Sequence, residues 1–571
     1  MYGSELYICL IVLITSTHGR IAVTDTVLPH ISNEIDKDIG VAESVVNRIA
    51  GELTVNLSGG SLVNQNESTT ANTENNTQPD LPTLIPVKVE DKCSNNTSDI
   101  IDNLIPNEDD SPCDRRDKDN NKVLKLTSYI EDGRTEEGRK AAEVNPDLFL
   151  GIKSYSGFFT VNKTYDSNIF FWYFPVEKKM VNETPWIIWL QGGPGASSMS
   201  GLFDEMGPFR LNQKKMLVRN PYTWLQNHSL LFIDNPVGTG CSFTNHKDGY
   251  VTDMPTYASH LYSTTKQFLL VFPELRTAPL YVAGESYAGK YVPALAMEIH
   301  KHRNFLEGDI NLKGLMMGNA YIEPGMILKI TETFYHFGLL VQEQLDIVQP
   351  LLDKFKSDVA ENRSVKAKER WNAIIALLLF LSNQKQAYNF LRDEMTAGRY
   401  EWFMRLPEVK KALHIGDVKH SFVNITVNKK LAPDFLSNAR PLVESLLNDY
   451  QVLVYCGQLD QMLPCATTSE YYRKWRWDNS SEFLNATRYP LTFKHRLVGY
   501  HKSGGGLTEV MVRGAGHMAP QDAPYTMQEM ITRWTHHVAL STPTFQDLDF
   551  LLDLLRNSTD NMELIRPNIL L

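Results

Sequence analysis

The sequence predicts an α/β fold built on a mostly parallel central sheet with helices on both faces. Two observations carry that expectation: short apolar runs ended by Gly or Pro recur along the chain, and helical periodicities separate them. A third, an abrupt change of composition near Tyr155, marks where strand-like sequence begins.

At the amino end, Leu6-Tyr-Ile-Cys-Leu-Ile-Val-Leu-Ile-Thr15 is a short apolar run followed by small and polar residues. It is too short to span a bilayer comfortably and reads as a signal peptide, residues 1–19, cleaved near Gly19. The basic stretch that usually precedes such a run is missing, which leaves a buried N-terminal helix or strand as the competing reading. Residues 20–125 are rich in Asn, Asp, Ser and Thr and hold 19 acidic and 10 basic side chains. That composition buries too little surface to offset chain entropy, so a mobile, acidic, glycosylated extension or propeptide is expected. The segment carries −9 of the formal charge of −11, so the rest of the chain is near neutral and lacks the basic face of a nucleic-acid binder.

Asn-x-Ser/Thr acceptors stand at Asn56, Asn66, Asn162, Asn227, Asn362, Asn424, Asn479 and Asn557, among others. Sugar addition there requires passage through the secretory lumen, so with the leader they point to a secreted, lysosomal or vacuolar protein.

The catalytic body is expected over residues 126–540, with a C-terminal tail at 541–571. Gly157-Phe-Phe-Thr-Val-Asn162, Asn168-Ile-Phe-Phe-Trp-Tyr-Phe174 and Pro185-Trp-Ile-Ile-Trp-Leu190 read as consecutive core strands. Ser229-Leu-Leu-Phe-Ile-Asp234, Leu280-Tyr-Val-Ala283 and Gln451-Val-Leu-Val-Tyr455 continue the series, with helical patterns at 257–271 and 291–302 between them. From about 321 to 400 the strand signal stops and helical stretches such as 366–381 take over, as in an insertion that caps an active site. No later run is long and charge-free enough for a membrane helix.

Cysteines stand at 9, 93, 113, 241, 456 and 465; the first leaves with the leader, so at least one of the remaining five cannot pair internally. Cys93 and Cys113 can close a loop in the acidic segment, and Cys456 and Cys465 bracket Asp460. None has metal-ligand spacing; neither a metal nor any other cofactor is expected.

The sharpest local signal is Val282-Ala-Gly-Glu-Ser-Tyr-Ala-Gly-Lys290, an apolar strand running through small residues and Ser286 into a helical pattern. A serine on such a turn is lifted clear of the sheet, although Ala288 departs from the usual G-x-S-x-G ending. Its hydroxyl needs a base, and the base needs an acid to fix its tautomer. Asp460 follows the strand at 451–455, and His517 lies in the glycine-flanked loop Arg513-Gly-Ala-Gly-His-Met-Ala-Pro520. Singly, Asp460 reads as a turn cap and His517 as a loop histidine. Together the order Ser, Asp, His is that of α/β hydrolases. Gln191-Gly-Gly-Pro-Gly195, directly after a strand, can offer the amide of Gly193 to an oxyanion, with a second amide from Tyr287; a tight turn is the alternative, but the position at the carboxyl end of a parallel strand favours the oxyanion role.

Five phrases then turn specific: Trp189-Leu-Gln-Gly-Gly-Pro-Gly195, Asp234-Asn-Pro-Val-Gly-Thr-Gly240, Gly284-Glu-Ser-Tyr-Ala-Gly289, Gly457-Gln-Leu-Asp460 and Gly516-His-Met518 together resemble the serine carboxypeptidases. Thr160-Val-Asn-Lys-Thr-Tyr165 and Pro407-Glu-Val-Lys-Lys-Ala-Leu-His414 look closer to their vitellogenic-like branch, and the likeness runs from about Leu126 to Val538. The resemblance implies an α/β-hydrolase fold and an exopeptidase that removes one residue from a free peptide C-terminus through an acyl-enzyme, usually in acid. It implies that Gln191, Gly192, Glu205 and Glu285 hold the terminal carboxylate, the two acids sharing a proton, and that Met518 lines the leaving-group pocket. For Glu205 a surface-loop acid is the plainer alternative, and for Met518 a packed side chain. The family's usual cysteine after the Gly-Gly-Pro-Gly loop is replaced by Ala196, so its disulfide pattern does not carry over.

The partners expected are peptides or proteins with free C-termini, with no nucleic acid and no membrane span; oligomeric state stays open, a homodimer included. Competing functions are a carboxypeptidase-like acyltransferase or esterase, which would use the same triad, and a non-catalytic protective or binding protein of the secretory pathway.

Overall fold

In the computed structural model the residues described are 122–303 and 310–540, so the leader, the acidic extension up to residue 121 and the C-terminal tail lie outside them, as do Cys93 and Cys113. The strands are β1 (Tyr155–Asn162), β2 (Ser167–Phe174), β3 (Trp186–Leu190), β4 (Phe209–Leu211), β5 (Leu217–Arg219), β6 (Ser229–Ile233), β7 (Phe243–Thr244), β8 (Leu280–Glu285), β9 (Leu312–Gly318), β10 (Gln451–Gly457), β11 (Tyr489–Phe493), β12 (Arg496–Gly504) and β13 (Leu507–Val512). One sheet runs β1-β2-β6-β3-β8-β9-β10-β13-β12-β11, with β7 beside β2 and β4-β5 forming a separate ribbon. From β6 to β13 every neighbouring pair is parallel, whereas β1, β2, β11 and β12 pair antiparallel at the two edges.

Alternation along each strand sorts the side chains into two apolar layers. Ile188, Leu190, Leu231, Val282, Leu315 and Val454 face one layer, packed with helices α1 (Met254–Val271) and α2 (Ala288–Lys301). Ile187, Trp189, Phe232, Tyr281, Leu453 and Val510 face the other, against Met527, Met530 and Trp534 of the last described helix, Pro524–Thr535. The central strands are buried on both sides, which explains why β3, β6 and β8 read as unbroken apolar runs.

Between β9 and β10 the chain is helical, including α3 (Gln342–Ala360) and α4 (Ser364–Leu381). This block extends past 400: short helices at Glu401–Met404, Pro407–Ala412, Ile425–Lys430 and Arg440–Leu446 follow before strands resume at Gln451. β9 was not among the strands read from sequence, because Leu312-Lys-Gly-Leu-Met-Met-Gly318 mixes glycine and a lysine with flexible methionines and lacks β-branched residues. No helix among the described residues is long and apolar enough to cross a membrane.

The parallel centre has a mechanical consequence. Leu315 is fully buried on β9 between β8 and β10, and Leu315→Ala is expected to cost about 2–5 kcal/mol. The expected outcome is a lower urea midpoint with an unchanged denaturant slope.

Candidate active site

The parallel strands end on a common edge, and the candidate triad residues singled out from sequence follow those ends. Ser286 follows β8, and Asp460 and His517 lie in the loops after β10 and β13; Asn319, which follows β9, joins them. β8, β9, β10 and β13 are consecutive neighbours in the sheet, so residues far apart in sequence converge.

Ser286 has φ 63, the left-handed region that a side-chain-bearing residue adopts only under constraint. Its amide donates to Gly318 O at 3.0 Å and its carbonyl accepts from Tyr321 N at 2.9 Å, so backbone from the next strand end grips both sides of the turn. Gly192 is pressed against the same turn: a Cβ there would lie 2.5 Å from Tyr287 N and 2.9 Å from Ser286 Cβ. The amides of Gly193 and Tyr287 donate to no other group among the described residues.

His517 is buried, and its Nδ1 lies 2.8 Å from Asp460 Oδ2. Asp460 is fully buried and also accepts from Asn319 Nδ2 at 2.7 Å and from Met462 N at 2.7 Å. An ionised carboxylate can only accept, so Nδ1 carries the hydrogen and Nε2 is left as the basic nitrogen. The imidazole is held further by its amide, 2.6 Å from Tyr388 O, and by the Tyr388 ring, edge-on at 4.8 Å. Ser286 Oγ and His517 are not hydrogen-bonded in this structure; such contacts commonly tighten only around substrate. The Asp460 loop is closed by a Cys456–Cys465 disulfide, while Cys241 is a free, buried thiol.

Beside the serine lies a second set of polar groups. Gln191 Nε2 donates to Glu285 Oε1 at 3.1 Å, and Gln191 Oε1 accepts from Trp189 Nε1 at 2.9 Å, which fixes the amide's orientation. Glu205 lies in a short π-helical turn at Gly201–Glu205 and is buried together with Glu285, so it is no surface-loop acid. Neither oxygen of Glu205, nor Oε2 of Glu285, has a donor while both acids are ionised. A proton shared between them would supply one. Burial raises both acids; the neighbouring charge of Asp204 adds to the rise of Glu205, and that of Glu205 to the rise of Glu285. Burial also pushes Asp204 up to about 7, and its carboxylate accepts from Gly398 N at 2.9 Å.

Met518 lines a small cavity with Tyr388, Asn389, Thr396 and Gln521, next to the histidine. Another cavity, of about 710 Å³, is lined elsewhere, by Lys125, Asp166, Tyr250 and Asn424 among others, and contains none of the residues just described. Asp234, Cys241 and His420 bring possible metal ligands within 4.8 Å of one another. Asp234, however, already accepts from Ser197 Oγ at 2.7 Å, Ser198 N at 2.9 Å and Cys241 N at 2.8 Å, contacts that knit the loop after β6 to the one after β3.

Of the sugar acceptors, Asn362 and Asn479 are exposed, whereas Asn162, Asn227 and Asn424 are half-buried. Asn424 Nδ2 donates to Gly238 O at 2.7 Å, a bond that a sugar on that nitrogen would displace. Asn56, Asn66 and Asn557 lie outside the described residues. Asn319 and Tyr388 were not singled out from sequence. Asn319 had a signal, an Asn after a Gly-ended apolar run, taken here at φ 41; Tyr388 had none, since it acts through its carbonyl and ring from the helical block.

Residues 145–537 match the serine carboxypeptidase family. The vitellogenic carboxypeptidase of Aedes aegypti is 36% identical over 443 residues, 74% of this chain and 92% of that protein. The venom serine carboxypeptidase of Apis mellifera is 37% identical over 426 residues, 72% of this chain and 91% of its own length. Among solved structures, Kex1, a prohormone-processing carboxypeptidase from Saccharomyces cerevisiae, shares the fold with a TM-score of 0.62 at 23% identity, covering 70% of this chain and 96% of Kex1.

The buried acids make stability depend on pH in a defined direction. Their folded-state pKa values lie above the ordinary 4.5, so the folded form binds more protons than the unfolded one, and stability falls as pH rises past that value. Glu205→Gln is therefore expected to raise the melting temperature by a few degrees at neutral pH and to leave it nearly unchanged near pH 4. Scanning fluorimetry at both pH values checks this; equal shifts would contradict it.

Proposed function

Because the chain belongs to the serine carboxypeptidase family and is a serine-type carboxypeptidase, we propose that Ser286, His517 and Asp460 carry its chemistry and that Gln191, Gly192, Glu205 and Glu285 select the free carboxylate. The observation that carries this reading is the adjacency of the two sets: Glu285, hydrogen-bonded to Gln191, immediately precedes the strained serine.

In this mechanism Ser286 Oγ attacks the carbonyl of the last peptide bond as its proton passes to His517 Nε2. The Asp460 carboxylate, bound to Nδ1, stabilises the resulting imidazolium. Negative charge on the carbonyl oxygen is met by the amides of Gly193 and Tyr287, which have no competing acceptor among the described residues. The C–N bond breaks as His517 returns the proton to the leaving amine, and the C-terminal residue departs with its side chain against Met518. Water, deprotonated by the same nitrogen, then releases the acyl group and restores Ser286.

The carboxylate of the substrate would meet an amide hydrogen from Gln191 or Gly192 and the proton shared by Glu205 and Glu285. Ionising that pair puts a second negative charge beside the substrate's own, so binding weakens as pH rises; this is the proposed basis of an acid preference. An ester or acyl-transfer substrate without a carboxylate would leave the buried acids with nothing to hold, which favours the peptidase reading.

Export through the secretory pathway fits the leader-like run, the exposed acceptors Asn362 and Asn479, and the Cys456–Cys465 bridge, since disulfides persist in oxidising compartments. The Apis mellifera relative, named as a venom protein, points the same way. We place the catalytic domain at residues 126–540, after the acidic extension.

Ser286→Ala is expected to lower kcat by at least about 10⁴-fold on a peptide with a free C-terminus. The wild-type enzyme should cleave that peptide and spare its C-terminal amide; equal cleavage of both would overturn the carboxylate assignment. Glu285→Gln, which keeps a hydrogen-bond donor at every pH, should flatten the rise of KM between acid and neutral pH, as measured by initial rates across a buffer series.

A further inference from the structure

Behind the elbow lies a buried polar cluster that the mechanism does not use. Asp434, in the short helical turn Ala432–Asp434 of the helical block, is almost fully buried, and its carboxylate collects donors from two helices. Tyr287 Oη donates to Oδ2 at 2.8 Å, Tyr257 Oη to the same oxygen at 3.3 Å, and Met254 N to Oδ1 at 3.1 Å. Lys290, one turn along α2 from Tyr287 and fully buried, donates to Asp434 O at 2.9 Å, Phe435 O at 2.7 Å and Ser437 Oγ at 3.1 Å. Its ammonium also sits over the rings of Tyr287, at 4.9 Å, and Tyr321, at 4.6 Å.

We propose that Asp434 is a positioning residue for the reaction, holding the Tyr287 amide in place through the Tyr287 side chain. The inference rests on the reading that this amide receives the oxyanion. Residues 287 and 290 lie on one face of a helix, so the first turn of α2 is gripped at two points by the single segment 434–437. A buried carboxylate is tolerated only where its hydrogen bonds are made, which limits Tyr287 to the geometry that makes them. Oxyanion donors work because they are aimed beforehand; an amide that rocks with its side chain loses part of its effect in the transition state while ground-state binding is untouched. The helical block reaches the residue after the nucleophile by this route, 147 residues away in sequence.

A double-mutant cycle tests the assignment. Asp434→Asn and Tyr287→Phe, each checked for an intact melting transition, are expected to lower kcat by on the order of tenfold, a fraction of what losing an oxyanion donor outright costs. KM should stay within about twofold, and the double variant should be no slower than the slower single one. Losses that multiply, a raised KM at unchanged kcat, or a lowered melting temperature at unchanged kcat would each overturn the role of Asp434. If Asp434→Asn does not fold, the kcat-against-KM split of Tyr287→Phe decides alone. Ser286→Ala, run in parallel, separates the two levels: full activity there would sink the site assignment itself, whereas an inactive Ser286→Ala with an additive cycle sinks only the positioning role.

Discussion

A serine at φ 63 is sterically disfavoured, by roughly 1–3 kcal/mol, and stays there only if its surroundings over-determine it. Most of what is distinctive in this structure serves that constraint. β9 contributes Gly318 O to the serine amide, and Tyr321 N takes its carbonyl, so the turn is closed by a strand that carries no catalytic side chain itself. Gly192 is a glycine because any Cβ would meet the turn's own backbone at 2.5 Å. The same close approach is what brings the Gly-rich loop beside Ser286. A similar logic holds on the histidine side, where a Cβ on Gly457 would lie 1.9 Å from Gly516 O, so the loops bearing Asp460 and His517 run in direct backbone contact.

Around this rigid edge the protein buries more carboxylate than its interior would ordinarily tolerate. Asp460 is accommodated by three hydrogen bonds, Asp434 by tyrosines and a backbone amide, and Asp234 by two serines' groups and the Cys241 amide. Glu205 and Glu285 differ in kind. In the ionised form both oxygens of Glu205 and Oε2 of Glu285 lack donors among the described residues, and burial raises both acids, which favours a shared proton. Three of these acids are constrained by complete hydrogen bonding, whereas the fourth site is left short of hydrogen. In the proposed mechanism that deficit is what lets the glutamate pair meet another carboxylate.

The legible parts of the chain were those whose signal is local. Strand runs buried on both faces, such as β3, β6 and β8, announce themselves by continuous apolar residues, and the elbow by its small residues flanking Ser286. β9 was hidden by its glycines, methionines and lysine, and with it Asn319, the residue that ties Asp460 to the neighbouring strand end. The helical block was recognised, but its end was not: four short helices beyond residue 400 have too few turns to show a clear period. Tyr388 and Asp434 come from that block, and neither sits in a motif.

From sequence alone, this protein's fold class and family are determined and its candidate nucleophile, acid and base are put in order, because each rests on short contiguous patterns set by backbone geometry. Only the tertiary structure decided which buried groups meet. Whether Glu205 faces Glu285, whether His517 reaches Asp460, and whether Asp434 holds Tyr287 depend on how strand ends and a long insertion pack. The physical reason is that hydrogen bonding and desolvation act over a few ångströms in space, a distance that separation along the chain does not encode.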